Sequence, residues 1–81
     1  MIFLIEYNRS KGHVVTFKKF KNSDRLKAQN KRLEIELDLN HKGVNHEVVL
    51  LEAEKEAMIR RTHRRYFETP RQIAKSVKEN K

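Results

Sequence analysis

The first seven residues constrain the fold more than any other segment. Residues 1–7 read Met-Ile-Phe-Leu-Ile-Glu-Tyr, so apolar side chains fall on both faces of any strand formed there. This pattern is typical of a central strand that is covered on both sides or faces little water. We therefore expect residues 1–7 to form the central strand of a sheet.

A second strand follows the first after a short polar turn. Residues 8–12 contain Asn, Ser and Gly, which favour turns, and His13–Phe20 is rich in β-branched and aromatic residues. The short connection predicts an antiparallel hairpin. Strict alternation along the second strand would place Val15 and Phe17 on one face and Val14 on the other.

A helix is predicted for residues 24–40. The polar residues at positions 22–24 can cap its first turn, the segment is rich in good helix formers, and Gly43 suits a left-handed C-terminal cap. One apolar face of this helix would consist of Leu26, Leu33 and Leu37. Residues 33–39 also alternate apolar and charged residues with a period of two, which is a strand pattern. Helix is favoured because nothing breaks the longer segment, but the strand interpretation of these residues stays open.

The rest of the chain predicts one more strand and two more helices. Glu47–Glu52 is an apolar run bounded by charges, residues 55–67 read as a helix, and Thr69 and Pro70 are suited to begin a third helix. The apolar stripe of this last helix would be Ile73, Ala74 and Val77. We expect a single small domain over residues 1–78 and a frayed tail over residues 79–81.

These elements predict an α+β fold of the order ββαβαα. The most apolar strand belongs in the middle, so we expect a three-stranded, mostly antiparallel sheet of strand order 2-1-3. Both helices would pack on one face of this sheet, which makes a small two-layer sandwich.

The charge of the chain favours an anionic partner. Nineteen Lys and Arg face eleven Asp and Glu, a formal net charge of +8 spread over several elements. Such a field attracts polyanions, so we expect nucleic acid or an acidic protein surface as the partner. The apolar runs are far shorter than the ~20 residues that span a bilayer, so no membrane partner is expected. The absence of cysteine and of a secretory signal favours a cytoplasmic location.

Two basic clusters could contact phosphates. One helical arc would carry four guanidinium groups, which bind phosphate through their planar fork: Arg60, Arg61, Arg64 and Arg65. Pairing of these arginines with Glu56 and Glu68 is the alternative explanation of that arc. The second cluster, at the end of the second strand, consists of Lys18, Lys19 and Lys21 around Phe20. Lysines also protect edge strands from pairing, which would explain the second cluster without a ligand.

The histidines give little support for catalysis. They are scattered along the chain, and no cofactor, metal ligand set or catalytic residue is predicted. A phosphodiesterase-type hydrolase centred on His63, beside the arginines, is a distant third interpretation.

A homo-oligomeric interaction module is the second interpretation of function. Ala28, Ile35 and Leu39 form a second apolar line on the predicted helix at residues 24–40. Val48 and Leu50 lie in a strand expected at an edge of the sheet, where its backbone can pair with another chain. These five residues are the predicted interface of a homodimer. Cover of the same residues by the C-terminal helix of their own chain is the alternative.

Overall fold

A computed structural model describes residues 1–67 of the chain, in the order strand, strand, helix, strand, helix. The strands are β1 (Ile2–Asn8), β2 (His13–Phe20) and β3 (Glu47–Glu52), and the helices are α1 (Arg25–Lys42) and α2 (Glu56–Thr62). Single 3₁₀ turns precede α1 at Asn22–Asp24 and follow α2 at Arg64–Tyr66. The predicted third helix, with Ile73, Ala74 and Val77, lies outside the described residues.

The sheet has the strand order β2-β1-β3. β1 pairs antiparallel with both neighbours, and Ile2 faces Phe20 on β2 and Glu52 on β3. The hairpin turn takes Gly12 to a φ of 70°, and the Gly12 N–H donates to the carbonyl of Asn8 over 2.8 Å. The predicted α+β class, antiparallel sheet and strand order are confirmed.

The side chains of β1 are buried on both faces of the sheet. Along one face, the odd-numbered residues of β1 join a core with residues at and beyond α2: Phe3, Ile5, Tyr7, Ile59 and Tyr66. Along the other face, Ile2 and Leu4 are also fully buried. They lie beneath α1, since their β2 neighbours Phe20 and Lys18 border the groove that α1 closes.

The two helices therefore lie on opposite faces of the sheet. The prediction that both pack on one face is wrong, and the domain has three layers. The physical reason lies in β1 itself, because a strand with apolar side chains on both faces needs cover on both. α1 supplies that cover on one side with Ala28, which is fully buried, and α2 supplies it on the other with Ile59.

A β-bulge changes the faces of β2. The register of the β1–β2 pair shifts between Glu6 and Tyr7, and Val15 is the extra residue on β2. Val14 therefore pairs with Tyr7 and packs on the same core as Phe17, whereas Val15 is half exposed. The predicted faces of Val14 and Val15 are wrong because one inserted residue reverses the alternation beyond it.

α1 is one continuous helix, which decides between the two interpretations of residues 33–39 in favour of helix. It ends at Gly43, whose φ of 69° is left-handed, as predicted for the C-terminal cap. Two backbone hydrogen bonds close the end, from Gly43 to Asn40 over 3.2 Å and from Val44 to Leu39 over 2.9 Å.

The face that α1 turns to the sheet differs from the predicted one. Ala28 is fully buried, and Ile35 and Leu39 are partly buried on the same side. The outer face carries three leucines that are 68%, 54% and 60% exposed, namely Leu26, Leu33 and Leu37. The small Ala28 side chain lets the helix approach the sheet closely, which a leucine at that point would prevent. The assignment of Ala28, Ile35 and Leu39 to an intermolecular interface is therefore wrong.

α2 is shorter than the helix predicted for residues 55–67. It ends at Thr62, and His63 leaves the helical region with φ −122° and ψ 53°. The Thr62 hydroxyl donates to the carbonyl of Met58 over 2.8 Å. The 3₁₀ turn that follows places Tyr66 in the core, where its ring meets Tyr7 edge-on at 5.2 Å. Burial of this aromatic ring offsets the loss of helical hydrogen bonds.

Candidate functional site

The strongest candidate site is a groove of about 460 Å³ between β2 and α1. We call it the lysine groove, and its lining consists of Lys18, Lys19, Phe20, Lys27, Asn30, Lys31 and Glu34. Four ammonium-bearing side chains and one carboxylate border it, so the lining carries an excess of positive charge. Two of the predicted lysines, Lys18 and Lys19, lie here, and Lys21 is exposed just past the end of β2.

Strand and helix periodicity bring these residues together. Lys18 and Phe20 are two apart on β2 and so share the face that lies against α1. Lys27 and Lys31 are four apart on α1 and so stand one turn from each other. Phe20 is partly buried and gives the groove an apolar wall.

Some of these lysines have carboxylate neighbours. The ammonium of Lys31 lies 3.2 Å from Glu34, and that of Lys27 lies 3.8 Å from Asp24. In each pair one side chain is well exposed and the other is about one third exposed, and ion pairs at the surface contribute about 0–1 kcal/mol. Lys19 lies at the strand edge with its ammonium 3.5 Å from Glu56 of α2, on the opposite face of the sheet. The groove charge therefore rests mainly on Lys18, Lys27 and Lys31.

The predicted arginine arc does not form on one helix. Arg60 and Arg61 lie on α2, whereas Arg64 and Arg65 lie in the 3₁₀ turn beyond it. Arg61 is exposed, and the Arg60 guanidinium lies 3.5 Å from Glu56 and over the ring of Phe67. The predicted pairing of Arg60 with Glu56 is confirmed.

Arg65 belongs to a network around one carboxylate. Its guanidinium donates to Oε1 of Glu47 over 2.6 Å and to the hydroxyl of Tyr66 over 2.8 Å. The Tyr66 hydroxyl donates to the same Glu47 oxygen over 2.9 Å. The other oxygen of Glu47 lies 3.7 Å from Nε of Arg9 in the hairpin turn. Arg65 thus ties the 3₁₀ turn to β3.

The network changes the pKa values of its members. Burial by itself raises the pKa of Glu47, but the hydrogen bonds from Arg65 and Tyr66 and the charges of Arg65 and Arg9 outweigh it, so this pKa is lowered. The pKa of Tyr66 is raised, by burial first and then by its bond to Glu47. The pKa of Arg65 is raised chiefly by its hydrogen bond to Glu47. All three pKa shifts are explained by the contacts among Glu47, Arg65 and Tyr66, which indicates that this ion pair stabilises the fold.

A second polar cluster lies on the α1 face of the sheet. Nδ1 of His46 lies 2.7 Å from Oε2 of Glu6, and the Thr16 hydroxyl donates to Oε1 of Glu6 over 2.9 Å. Side-chain exposure is only 15% for His46 and 10% for Glu6. The carboxylate, the imidazole and the hydroxyl thus replace for one another part of the water that burial removes. The pair was not predicted from the sequence, because its members are 40 residues apart.

His63, the residue on which the hydrolase interpretation depends, has other neighbours. Its Nδ1 lies 2.8 Å from the hydroxyl of Thr62, and its ring stacks on Tyr66 with an interplanar angle of 13°. Within residues 1–67, no group of three or more His, Asp or Glu side chains is arranged to hold a metal ion. In the same part of the chain, no helix has the length and apolarity needed to cross a membrane.

The remaining predicted interface residues lie on β3. Val48 is buried and Leu50 is partly buried, and both face α1, because their β1 partners are Glu6 and Leu4. Their side chains therefore pack within the domain. β3 is nevertheless an edge strand, so its backbone remains placed to pair with another strand.

No protein-family model, curated protein or solved structure matches this chain. Its function is therefore inferred from the residues and their geometry alone.

Four residues of the lysine groove were not predicted from the sequence: Lys27, Asn30, Lys31 and Glu34. The sequence could have indicated that Lys27 and Lys31 form a basic patch, since lysines four apart on a helix share a face. Their proximity to Lys18 depends on which face of the sheet α1 covers, and the incorrect placement of the helices concealed it.

Proposed function

We propose that this domain binds single-stranded nucleic acid in the lysine groove, through its phosphates. The observation that supports the proposal is the convergence of Lys18 from β2 with Lys27 and Lys31 from α1 around one groove. A groove with positive charge on both walls can follow a phosphate backbone, and release of counterions supplies the binding free energy.

The chemistry of the lining favours binding without base reading. Lysine is a flexible point charge, and contacts of lysine with phosphate position a strand without carrying sequence information. The partly buried ring of Phe20 offers a face on which a base can stack, which is worth about 1–3 kcal/mol per base and tolerates any base. Asn30 adds an amide that can donate to a phosphate or a sugar.

The test measures affinity for labelled oligonucleotides by fluorescence anisotropy at two salt concentrations. The groove variant Lys18→Gln, Lys27→Gln, Lys31→Gln should bind more weakly than the parent. The slope of log affinity against log salt concentration should also be smaller, by about 0.7 for each phosphate of a single strand that the variant no longer neutralises.

A matched control variant removes the same charge from other parts of the surface. Lys11, Lys42 and Lys55 are exposed and lie outside the groove, and replacing all three with Gln lowers the net charge equally. The control should retain most of the affinity of the parent. Equal reductions of affinity in the groove variant and the control would mean that binding follows net charge and would refute the groove. Binding of acidic peptides but not of oligonucleotides would favour a protein partner instead.

A further inference from the structure

The outer face of α1 carries an apolar line that the domain itself does not cover within residues 1–67. We call it the leucine stripe, and it consists of Leu26, Leu33 and Leu37, which are 68%, 54% and 60% exposed. Scattered apolar residues are normal on a surface, but large side chains aligned along one helix commonly mark an interaction site.

The spacing of the stripe suits a helix as its partner. Leu26, Leu33 and Leu37, together with Asn30 and Asn40, repeat at alternating intervals of four and three residues. This is the spacing of the seam through which two helices pack with knobs into holes. Ala28 and Ile35 lie on the opposite side of the helix, against the sheet, so the seam faces away from the domain.

We propose that a second copy of this chain covers the leucine stripe, with the two α1 helices antiparallel about a two-fold axis. Such an interface requires that residue i of one copy meet residue j of the other, and j meet i. This condition is satisfied when Leu26 of one copy lies opposite Leu37 of the other, since each leucine then meets a leucine. Asn30 then lies beside Leu33, near the lysine groove, where its amide can stay in water.

The charges beside the stripe are complementary in this register. Lys27 and Glu34 flank the seam, and in this register Lys27 of one copy lies opposite Glu34 of the other. The two-fold axis makes this pair occur twice in the dimer. The second flank places Gln29 opposite Glu36, which brings no like charges together. A parallel arrangement would place each leucine opposite its own counterpart and would separate Lys27 from Glu34. The surface is therefore complementary to itself in the antiparallel register.

Disulfide cross-linking tests the register directly, because the chain contains no cysteine of its own. Leu26→Cys in a tagged chain and Leu37→Cys in an untagged chain should form a mixed disulfide when the two are combined and oxidised, since a disulfide needs Cα atoms within about 7 Å. Neither variant should cross-link efficiently with itself. Self-linking of Leu26→Cys would overturn the antiparallel register in favour of a parallel one, and the absence of any product would overturn the dimer.

Sedimentation equilibrium of the full chain provides a second test. It needs no nucleic acid, so its outcome does not depend on the proposed function, although Lys27, Asn30 and Glu34 belong to both surfaces. The parent should dimerise, and Leu33→Glu should be monomeric with an unchanged circular dichroism spectrum. A parent that is strictly monomeric at high concentration would overturn the proposal. The stripe would then be a contact surface for another protein or for residues 68–81.

A charge-reversal series identifies the flanking pair. Lys27→Glu or Glu34→Lys alone should raise the dissociation constant by about tenfold, since symmetry replaces two attractive pairs with two repulsive ones. The double variant Lys27→Glu, Glu34→Lys should recover the affinity of the parent. Lys11→Glu, in the hairpin turn, is the matched control and should have no effect. Failure of the double variant to recover affinity would refute the proposed register.

Discussion

Nδ1 of His46 and Oε2 of Glu6 are 2.7 Å apart at the buried face between α1 and the sheet. Glu6 is the one charged residue of β1, and it also accepts a hydrogen bond from Thr16 on β2. The central strand therefore carries a carboxylate that joins it to its neighbour β2 and to the segment before β3. A buried carboxylate is stable only when such partners replace the water that it loses.

We predict that Glu6→Ala lowers the free energy of unfolding by about 2 kcal/mol, because His46 and Thr16 lose their partner while remaining partly buried. Urea denaturation, followed by circular dichroism, measures the change. Glu54→Ala is the control, since Glu54 is exposed, and it should change the free energy by less than about 0.5 kcal/mol. Similar destabilisation in both variants would contradict a stabilising role for the pair.

The elements that the sequence predicted well are those specified locally. β2 and β3 have the predicted bounds, and α1 ends at the predicted glycine, because strand propensity and helix caps are properties of neighbouring residues. The strand order was also predicted correctly, because the most apolar of the three strands needs cover on both faces and so belongs in the middle of the sheet.

The features that the sequence did not predict depend on distant contacts. The outward direction of Leu33 and the inward direction of Ala28 reflect how closely α1 approaches the sheet, which no local pattern encodes. The face of Val14 depends on a bulge whose cause lies in the pairing with β1. The meeting of Glu6 with His46 depends on the strand register, so it could be recognised only from the assembled sheet.

Glu47 should make stability depend on pH in the acid range. Its pKa is lower in the folded chain than the ordinary value of 4.5. The ionised carboxylate therefore stabilises the fold above the ordinary value, and this contribution disappears as the pH falls through the lowered pKa. We predict that Glu47→Gln is less stable than the parent near neutral pH, by about 1–2 kcal/mol, and that the difference narrows in acid.

Urea denaturation of the parent and of Glu47→Gln across this pH range measures the difference, which cancels the titration of groups common to both chains. A difference that stays constant down to the lowest pH would show that the charge of Glu47 contributes nothing.

Two of the predicted phosphate-binding arginines should behave differently on substitution. Arg65 donates to both Glu47 and Tyr66, whereas Arg61 is exposed on α2. We predict that Arg65→Gln lowers the midpoint of thermal unfolding by several degrees, as expected for about 1 kcal/mol in a domain of this size. Arg61→Gln should leave the midpoint unchanged.

Differential scanning calorimetry of the two variants checks this prediction. If Arg61→Gln proved as destabilising as Arg65→Gln, the network around Glu47 would not explain the result. The comparison also shows why a variant lacking all four arginines is a poor test of phosphate binding, since removal of Arg65 would weaken the fold as well.

The two apolar lines of α1 should respond in opposite ways to a charge. Ile35 faces the sheet and is partly buried, so the carboxylate of Ile35→Glu would be forced against β3 or would turn the helix away. Burying an unpaired charge or polar group is among the most destabilising changes. We predict that Ile35→Glu lowers the free energy of unfolding by at least about 2 kcal/mol.

Leu33→Glu is the matched substitution on the other line, two residues away on the same helix. Because Leu33 is 54% exposed, its carboxylate would stay in water, and we expect a change within about 0.5 kcal/mol. The comparison is made by urea denaturation at a protein concentration low enough for the parent to be monomeric, so that dimerisation does not contribute. A more stable Ile35→Glu than Leu33→Glu would mean that α1 presents the leucines, and not Ala28 and Ile35, to the sheet.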